Sequence, residues 1–343
     1  MLCPALTVTG VPASSDRVMR GVTDGSTPTT RIEGFRRLRT AATPEIRPPP
    51  LVGTTTAATP PLAYDEAVAE RYASFGHGNL EEYWTLLWRD ANLKAAPMEQ
   101  LPLHKWFVNQ GVVYARTSWG SEATAFAVKS GPPEGHHATA LLKAVPEWRL
   151  SSGHAHPDNG SFIIWAKGRY LTGDTGYAGM THARHHNTIT VGGLGQGKDG
   201  DHDVWRGMDY AQLDRARILE AEVTPARARI VLEAAGAYDP AAGLTRFTRV
   251  LEFTAPGTFT VRDTIDTKAP RPIQFYLQSD TPVVQDGPAW ILGRAPAGGA
   301  GLRMVVDEPR DAVVTTAPTS LMAPGQPGSI TSGKVDERGY HLK

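Results

Sequence analysis

Between Ser161 and Thr172 the chain reads as strand, turn and return strand: the apolar run Ser161 to Ala166 (SFIIWA), the pair Lys167-Gly168, then Arg169 to Thr172. A short apolar run bounded by turn residues has the pattern of a buried strand, and a two-residue connection containing glycine closes a hairpin. A hairpin brings the residues before its first strand beside those after its second. Both flanks here carry chemistry. Gly153-His154-Ala155-His156-Pro157-Asp158-Asn159-Gly160 precedes the hairpin, and Gly173-Asp174-Thr175-Gly176-Tyr177 follows it. Further on, His185-His186-Asn187-Thr188 leads into a segment, His186 to Val191, that alternates polar with apolar residues as a half-buried strand does and can lie alongside.

Zinc chemistry wants neutral imidazole nitrogens and carboxylate oxygens converging on one point, with a fourth position left for water. His156, Asp174 and His186 supply that set. A lone histidine in a β protein is ordinarily a surface or hydrogen-bonded core residue. An H-x-H pair, an aspartate after a strand-turn-strand unit and a further His-Asn together point to a shared ion.

The wording around these residues resembles the heparinase II/III-like polysaccharide lyases, a family that includes alginate, oligoalginate and heparin or heparan sulfate lyases. The matching text is Leu101-Pro102, Gly111-Val112-Val113-Tyr114-Ala115-Arg116 with Ser118-Trp119, Lys129-Ser130-Gly131-Pro132, the H-x-H-x-D block, G-D-T-G-Y, and H-N-T with Gly193-Leu194-Gly195-Gln196. Weaker similarity runs through Val261-Arg262-Asp263 to Glu337-Arg338-Gly339-Tyr340. The resemblance implies that His154 faces the substrate as a catalytic residue, that His156, Asp174 and His186 bind zinc, and that the metal mainly holds the loops of a β-sandwich in place. Orientation of that kind matters for a histidine presented in one tautomer.

The reaction so implied is β-elimination at a uronic acid by a carbon-oxygen lyase. The C6 carboxylate must be neutralised so that the C5 proton becomes acidic, that proton removed, and the departing O4 protonated. Family members use a tyrosine as base and acid, with a His, Asn or Arg on the carboxylate, and these come from a helical toroid ahead of the sandwich. The sequence before Leu101 is too short for a whole toroid. Tyr64 to Leu93 has apolar residues at helical spacing (Val68, Tyr72, Phe75, Leu80, Tyr83, Leu86, Leu87, Trp88) and reads as the last toroid helices. No motif around Tyr64, Tyr72 or Tyr83 matches the catalytic tyrosine, so packing is the expected role of each.

The expected division is therefore 1–61, rich in Pro and Thr and without packed structure; 62–100, a helical remnant of the (α/α) toroid; and 101–343, a mainly β, layered antiparallel sandwich. Met1-Leu2-Cys3-Pro4-Ala5-Leu6 lacks the charged start and apolar run of a signal peptide, although the family usually works in the periplasm or outside the cell. That combination reads as a missing or mis-started N-terminus. In the sandwich region, strand-like runs are Val112 to Ala115, Ala123 to Val128, Phe162 to Ala166, Thr188 to Val191, Arg229 to Leu232, Arg249 to Phe253, Phe259 to Arg262, Ile273 to Leu277 and Met304 to Val306. Ala138 to Val145 reads as a short inserted helix.

The 35 basic residues balance 35 acidic ones, so no global field draws a polyanion, and an acidic polysaccharide or oligosaccharide must be held by local charge in a cleft. Nothing in the charge pattern suggests a nucleic-acid partner, and no apolar run approaches a membrane span. The single Cys3 excludes an intrachain disulfide and a thiolate cluster. Arg116 can clamp a uronate carboxylate and Trp119 can stack on a sugar; a surface Arg and a buried Trp are the equal alternative. His136-His137 read as a solvated loop pair, His182, His185 and His202 have no assigned partner, and Asp158 and Asn159 are expected to fix the loop that presents His154. Gly192 to Gly197 has no helix behind it and no phosphate-loop character.

Two function classes follow. One is a lyase on alginate-like or glycosaminoglycan-like uronates; the other is a non-catalytic, metal-stabilised sandwich that binds an acidic saccharide or a separate toroid chain. A zinc hydrolase is a weaker third, since no general base of the H-E-x-x-H kind accompanies the ligands.

Overall fold

The computed structural model describes residues 5–11, 98–145, 154–174, 182–279, 281–293, 301–319 and 339–343 of the 343. The expected helices within 64–93, with Tyr64, Tyr72 and Tyr83, lie outside the described residues, as does most of the 1–61 segment.

The strands run in chain order as β1 (Ala5–Val11), β2 (His104–Phe107), β3 (Val112–Arg116), β4 (Thr124–Lys129), β5 (Phe162–Ala166), β6 (Arg169–Tyr170), β7 (Ile189–Val191), β8 (Arg217–Val223) and β9 (Arg227–Glu233). They continue as β10 (Leu244–Thr254), β11 (Thr258–Thr267), β12 (Ile273–Phe275), β13 (Leu277–Ser279), β14 (Val284–Asp286), β15 (Ala289–Leu292), β16 (Gly301–Val306), β17 (Thr316–Thr319) and β18 (Gly339–Leu342). Two short helices interrupt them, α1 (Ala138–Ala144) and α2 (Tyr210–Leu213).

Alternation along the strands builds the two main layers. In β4 the buried positions are Thr124, Phe126 and Val128, and in β5 they are Phe162, Ile164 and Ala166, so one face of the five-stranded sheet β2-β3-β4-β5-β6 is apolar. In β10 the row Phe247, Arg249, Leu251, Phe253 points inward, and it belongs to an eight-stranded sheet ordered β14-β15-β16-β1-β11-β10-β9-β8. The faces meet through Phe126, whose ring lies 5.4 Å from Phe253 and 5.6 Å from Phe259. Hydrogen bonds from Thr124 Oγ1 to the Pro256 carbonyl (2.9 Å) and from Ser130 Oγ to the Glu233 carbonyl (2.8 Å) stitch the layers at either end. The result is the expected antiparallel β-sandwich.

The hairpin forms as the sequence predicts. Lys167 and Gly168 both take positive φ (51° and 78°), the pairing a tight primed turn demands, and Trp165 faces Tyr170 across it. Three differences are instructive. Ala5–Val11 is a strand between β11 and β16, with Leu6 opposite both Val261 and Val306, inside the segment expected to lack packed structure; apolar Leu6 and Val8 alternate there with Thr7 and Thr9 over too few residues to stand out from the Pro/Thr-rich composition around them. The run Ile273 to Leu277 splits at Tyr276, because β12 pairs with β7 while β13 pairs with β18. And β7 pairs with β12 rather than with the hairpin, so His186 reaches the hairpin through side chains.

Candidate metal centre

The two hairpin flanks and the turn before β7 converge. His156, Asp174 and His186 each offer a ligand atom, and those atoms lie within 4.8 Å of one another. His186 Nδ1 is 2.7 Å from Asp174 Oδ2, and the rings of His156 and His186 are 5.3 Å apart. His186 is fully buried, yet its Nε2 has no hydrogen-bond partner. A buried nitrogen left unpaired costs about 1–3 kcal/mol, so this is a group that expects a ligand. Two imidazoles and a carboxylate around an orphaned nitrogen fit a divalent cation of the zinc type.

Electrostatics agree with that fit. Burial first, and the neighbouring His186 second, hold His156 below the ordinary imidazole range, which keeps it in the neutral, ligating form. Burial also pushes His186 down, but the charge of Asp174 and its hydrogen bond outweigh burial and hold His186 above its ordinary range. A bound cation would supply the positive charge beside the Asp174 carboxylate and so favour the neutral, ligating imidazole of His186.

A second set of buried polar groups positions the trio. Asn187 donates from Nδ2 to the carbonyls of Phe162 (2.6 Å) and Gly173 (3.0 Å), and its Oδ1 accepts from the Gln278 backbone N–H (2.7 Å). It therefore ties the start of β5, the residue before Asp174 and β13 to the residue after His186. Asn159 Oδ1 accepts from the Gly131 N–H (2.7 Å), while Gln196 accepts from the Asn159 N–H (2.9 Å) and donates to its carbonyl (2.7 Å). The expectation that Asn159 fixes the histidine loop describes this arrangement, and Asp158 adds an ion pair with Lys129 (2.6 Å). Trp205 Nε1 donates to the Ala155 carbonyl (3.1 Å), gripping the backbone between His154 and His156. Gly160 sits at φ 80°, and a Cβ there would meet the Phe247 ring at 3.2 Å, so only glycine suits this bend.

Beneath this lies an ion pair in the core. Arg249 and Asp263 face one another across β10 and β11 and form a buried bidentate pair (Nε–Oδ1 and Nη2–Oδ2, both 2.7 Å). The same guanidinium donates to the carbonyls of Gly160 and Asn187, joining the eight-stranded sheet to both histidine segments. Phe247 and Phe275 lie 5.2 and 5.0 Å from its central carbon.

Other predicted residues fall as follows. His154 is exposed, two residues from His156 and clear of the ligand set. Arg116 lies over the Trp119 ring at 4.1 Å, and Trp119 Nε1 donates to the Leu101 carbonyl (3.1 Å). Register places Arg116 opposite Ala125, whereas the histidine loop enters at Phe162, opposite Val128. Three residues of strand, about 10 Å, therefore separate Arg116 from the point where the histidine loop enters the sheet. His136 and His137 are not a purely solvated pair: His136 Nδ1 lies 2.7 Å from Asp214 and His137 Nδ1 lies 2.6 Å from Asn109. His182 approaches Asp199 (3.5 Å) and packs edge-on against His185. Burial pushes the phenols of Tyr210 and Tyr238 up to about 12, so neither is a ready base.

The two-layer antiparallel sandwich is the class of fold on which the His156, Asp174 and His186 cluster is built. Residues 99–339 match the family model described as Heparinase II/III-like, C-terminal, and the chain belongs to that family. A heparin-sulfate lyase of Bacteroides stercoris is 34% identical over 102 residues, 26% of this chain and 13% of that protein. Among solved structures, a heparinase III (17% identity, TM-score 0.51) is covered to 38% by 81% of this chain. A mutant form of the heparan sulfate lyase of Pedobacter heparinus (19% identity, TM-score 0.51) is covered to 39% by 82% of it. These structural likenesses concern the fold, and the chain spans well under half the length of each of these relatives. Among the described residues, no helix is long and apolar enough to cross a membrane.

Proposed function

We propose that this chain is the sandwich portion of a polysaccharide lyase that cleaves uronate-containing chains by β-elimination, with a glycosaminoglycan of the heparan sulfate type as first substrate and alginate as the alternative. The observation that carries the reading is the meeting of His156, Asp174 and His186 beside an exposed His154, within the stretch that matches the family. Zinc held by these three residues would fix the hairpin flanks and the turn before β7, a structural service to the loop. His154 meets the substrate, where an imidazole can hydrogen-bond the C6 carboxylate and acidify the C5 proton. Arg116 and Trp119 contact more distant sugars. Residues 101–343 form the sandwich unit with the Ala5–Val11 strand, and 62–100 is the end of a helical toroid.

The test is ultraviolet absorbance of the new C4–C5 double bond, with purified, zinc-loaded protein offered heparan sulfate, heparin, chondroitin, hyaluronan and alginate. Heparan sulfate and heparin are expected to give product, and His154→Ala to remove it at least a hundredfold, the lower range for a positioned proton-transfer group. Silence on every substrate from folded, metal-bound protein would overturn elimination by this chain alone and leave the other reading, a non-catalytic, metal-stabilised sandwich that binds an acidic saccharide or a separate toroid chain.

A further inference from the structure

Asp174 and His186 come from elements that share no ladder. Asp174 follows β6, whose partner is β5, and His186 precedes β7, whose partner is β12. Their side chains meet (2.7 Å), but a cation accepts its ligands only over a narrow range of distance, so the two backbones must be held relative to one another. Asn187 bridges them once, through the Gly173 carbonyl (3.0 Å). Gln278, the middle residue of β13, bridges them again from the other side.

Its backbone reaches both segments. The Gln278 carbonyl accepts from the Gly173 N–H (2.8 Å), one residue before Asp174, and its N–H donates to Asn187 Oδ1 (2.7 Å), one residue after His186. The side chain adds a third hold. Its Nε2 donates to the Arg184 carbonyl (2.8 Å) and, at 3.4 Å, to the carbonyl of His186 itself. The start of the same turn, Ala183–His185, is fixed by Asp199, whose Oδ1 accepts from the Ala183 N–H (2.7 Å). Gln278 is fully buried, and β13 is braced in turn by β18, with Gln278 opposite His341 in the pairing. Two carbonyl oxygens face one end of the Gln278 amide, so that end is the NH2 group; the reverse orientation would set three oxygens against one another. The penalty falls on the other end, where Oε1 is buried without a hydrogen-bond partner. For packing alone, methionine would fill the same volume without that penalty.

We infer that Gln278 is a positioning residue for the metal: it fixes the segments that carry Asp174 and His186 relative to one another, so that two of the three ligands stand together before an ion arrives. This rests on the reading of His156, Asp174 and His186 as metal ligands, and it holds whether or not the chain performs elimination. Ligands that need not be gathered bind an ion more tightly, because their ordering is already complete in the folded protein. The Gln278 side chain supplies the part of that order that touches the His186 backbone directly.

The test is zinc titration of the full chain against a competing chelator, well below the melting temperature, for the parent, Gln278→Met and a core control, Met304→Ala in β16. Gln278→Met keeps the volume and the backbone bonds but loses the donor, and it is expected to bind zinc about tenfold to a hundredfold more weakly. Met304→Ala should lower the melting temperature of the zinc-free protein yet leave zinc affinity within about twofold of the parent. In cobalt-loaded protein the visible ligand-field absorption should change in Gln278→Met and not in Met304→Ala, a difference that loss of stability alone would not produce. Gln278→Asn, one methylene too short to reach both carbonyls, is the milder second variant and should weaken zinc binding in the same direction. Parent-like zinc affinity and cobalt absorption in folded Gln278→Met or Gln278→Asn, or an equal loss of affinity in Met304→Ala, would overturn the positioning role and keep the metal site. No zinc bound by the parent would overturn the metal reading itself, and the positioning role with it.

Discussion

Arg249→Met should destabilise the protein by about 3–5 kcal/mol, the range for removing one partner of a buried pair, because Asp263 would be left charged and fully enclosed. For a sandwich of this size that corresponds to a fall in melting temperature on the order of 10 °C. Arg249→Met/Asp263→Leu should recover much of the loss, since an apolar pair of similar volume removes the uncompensated charge. Recovery should stay incomplete, because the carbonyls of Gly160 and Asn187 would still lack the donor that Arg249 gives them. Calorimetry on the two variants checks both statements. A single variant that melts within about 2 °C of the parent would remove the ion pair from its place in the account.

Asn187→Ala is expected to be nearly as damaging and to act on the site as well. The substitution leaves two carbonyls and one backbone N–H buried without partners, and groups of this kind cost about 1–3 kcal/mol each. Water entering the space left by the amide would place the total toward the low end, about 3 kcal/mol. Because Asn187 is bonded to His186 in sequence and to Gly173 in space, the variant should also bind zinc at least tenfold more weakly, as loss of an orienting contact does in metal sites. Zinc titration with a competing chelator reads this directly. Unchanged affinity in a destabilised variant would make Asn187 a packing residue only.

The elements that a sequence displays best are those with local patterns. The hairpin from Ser161 to Thr172 was legible because an apolar run, a Lys-Gly turn and a return strand are contiguous, and its closure alone sets His156 near Asp174. His186 was legible as a third member from the alternating segment it opens and from the family wording, although its strand pairs with β12 and not with the hairpin. Long-range partnerships were harder to read. Arg249 looks like an ordinary alternating strand residue, and only the register of β10 with β11 shows that it faces Asp263 inside the core. The signal was present in Val261-Arg262-Asp263, where an aspartate occupies an inward position of an otherwise apolar strand face.

Edge and short strands were missed for a related reason. β8 alternates weakly and carries Glu220 and Glu222 on a largely exposed edge, so no period marks it. Asn187 and Gln196 stood in quoted motifs, but a sequence does not reveal whether a polar side chain is bonded to water or to three buried backbone groups. Arg116 and Trp119 illustrate the converse. Their residue types suit a sugar, and strand register then sets Arg116, with Trp119 stacked beneath it, away from the start of β5 where the histidine loop enters.

We propose a division of labour in which His156, Asp174 and His186 hold a metal ion and His154 contributes no ligand to it and meets substrate. Elemental analysis of metal per chain, on zinc-loaded and desalted protein, tests it most directly. The parent and His154→Ala should each retain about one equivalent, and His186→Ala should retain almost none. Metal lost from His154→Ala, or a full equivalent kept by His186→Ala, would contradict the assignment.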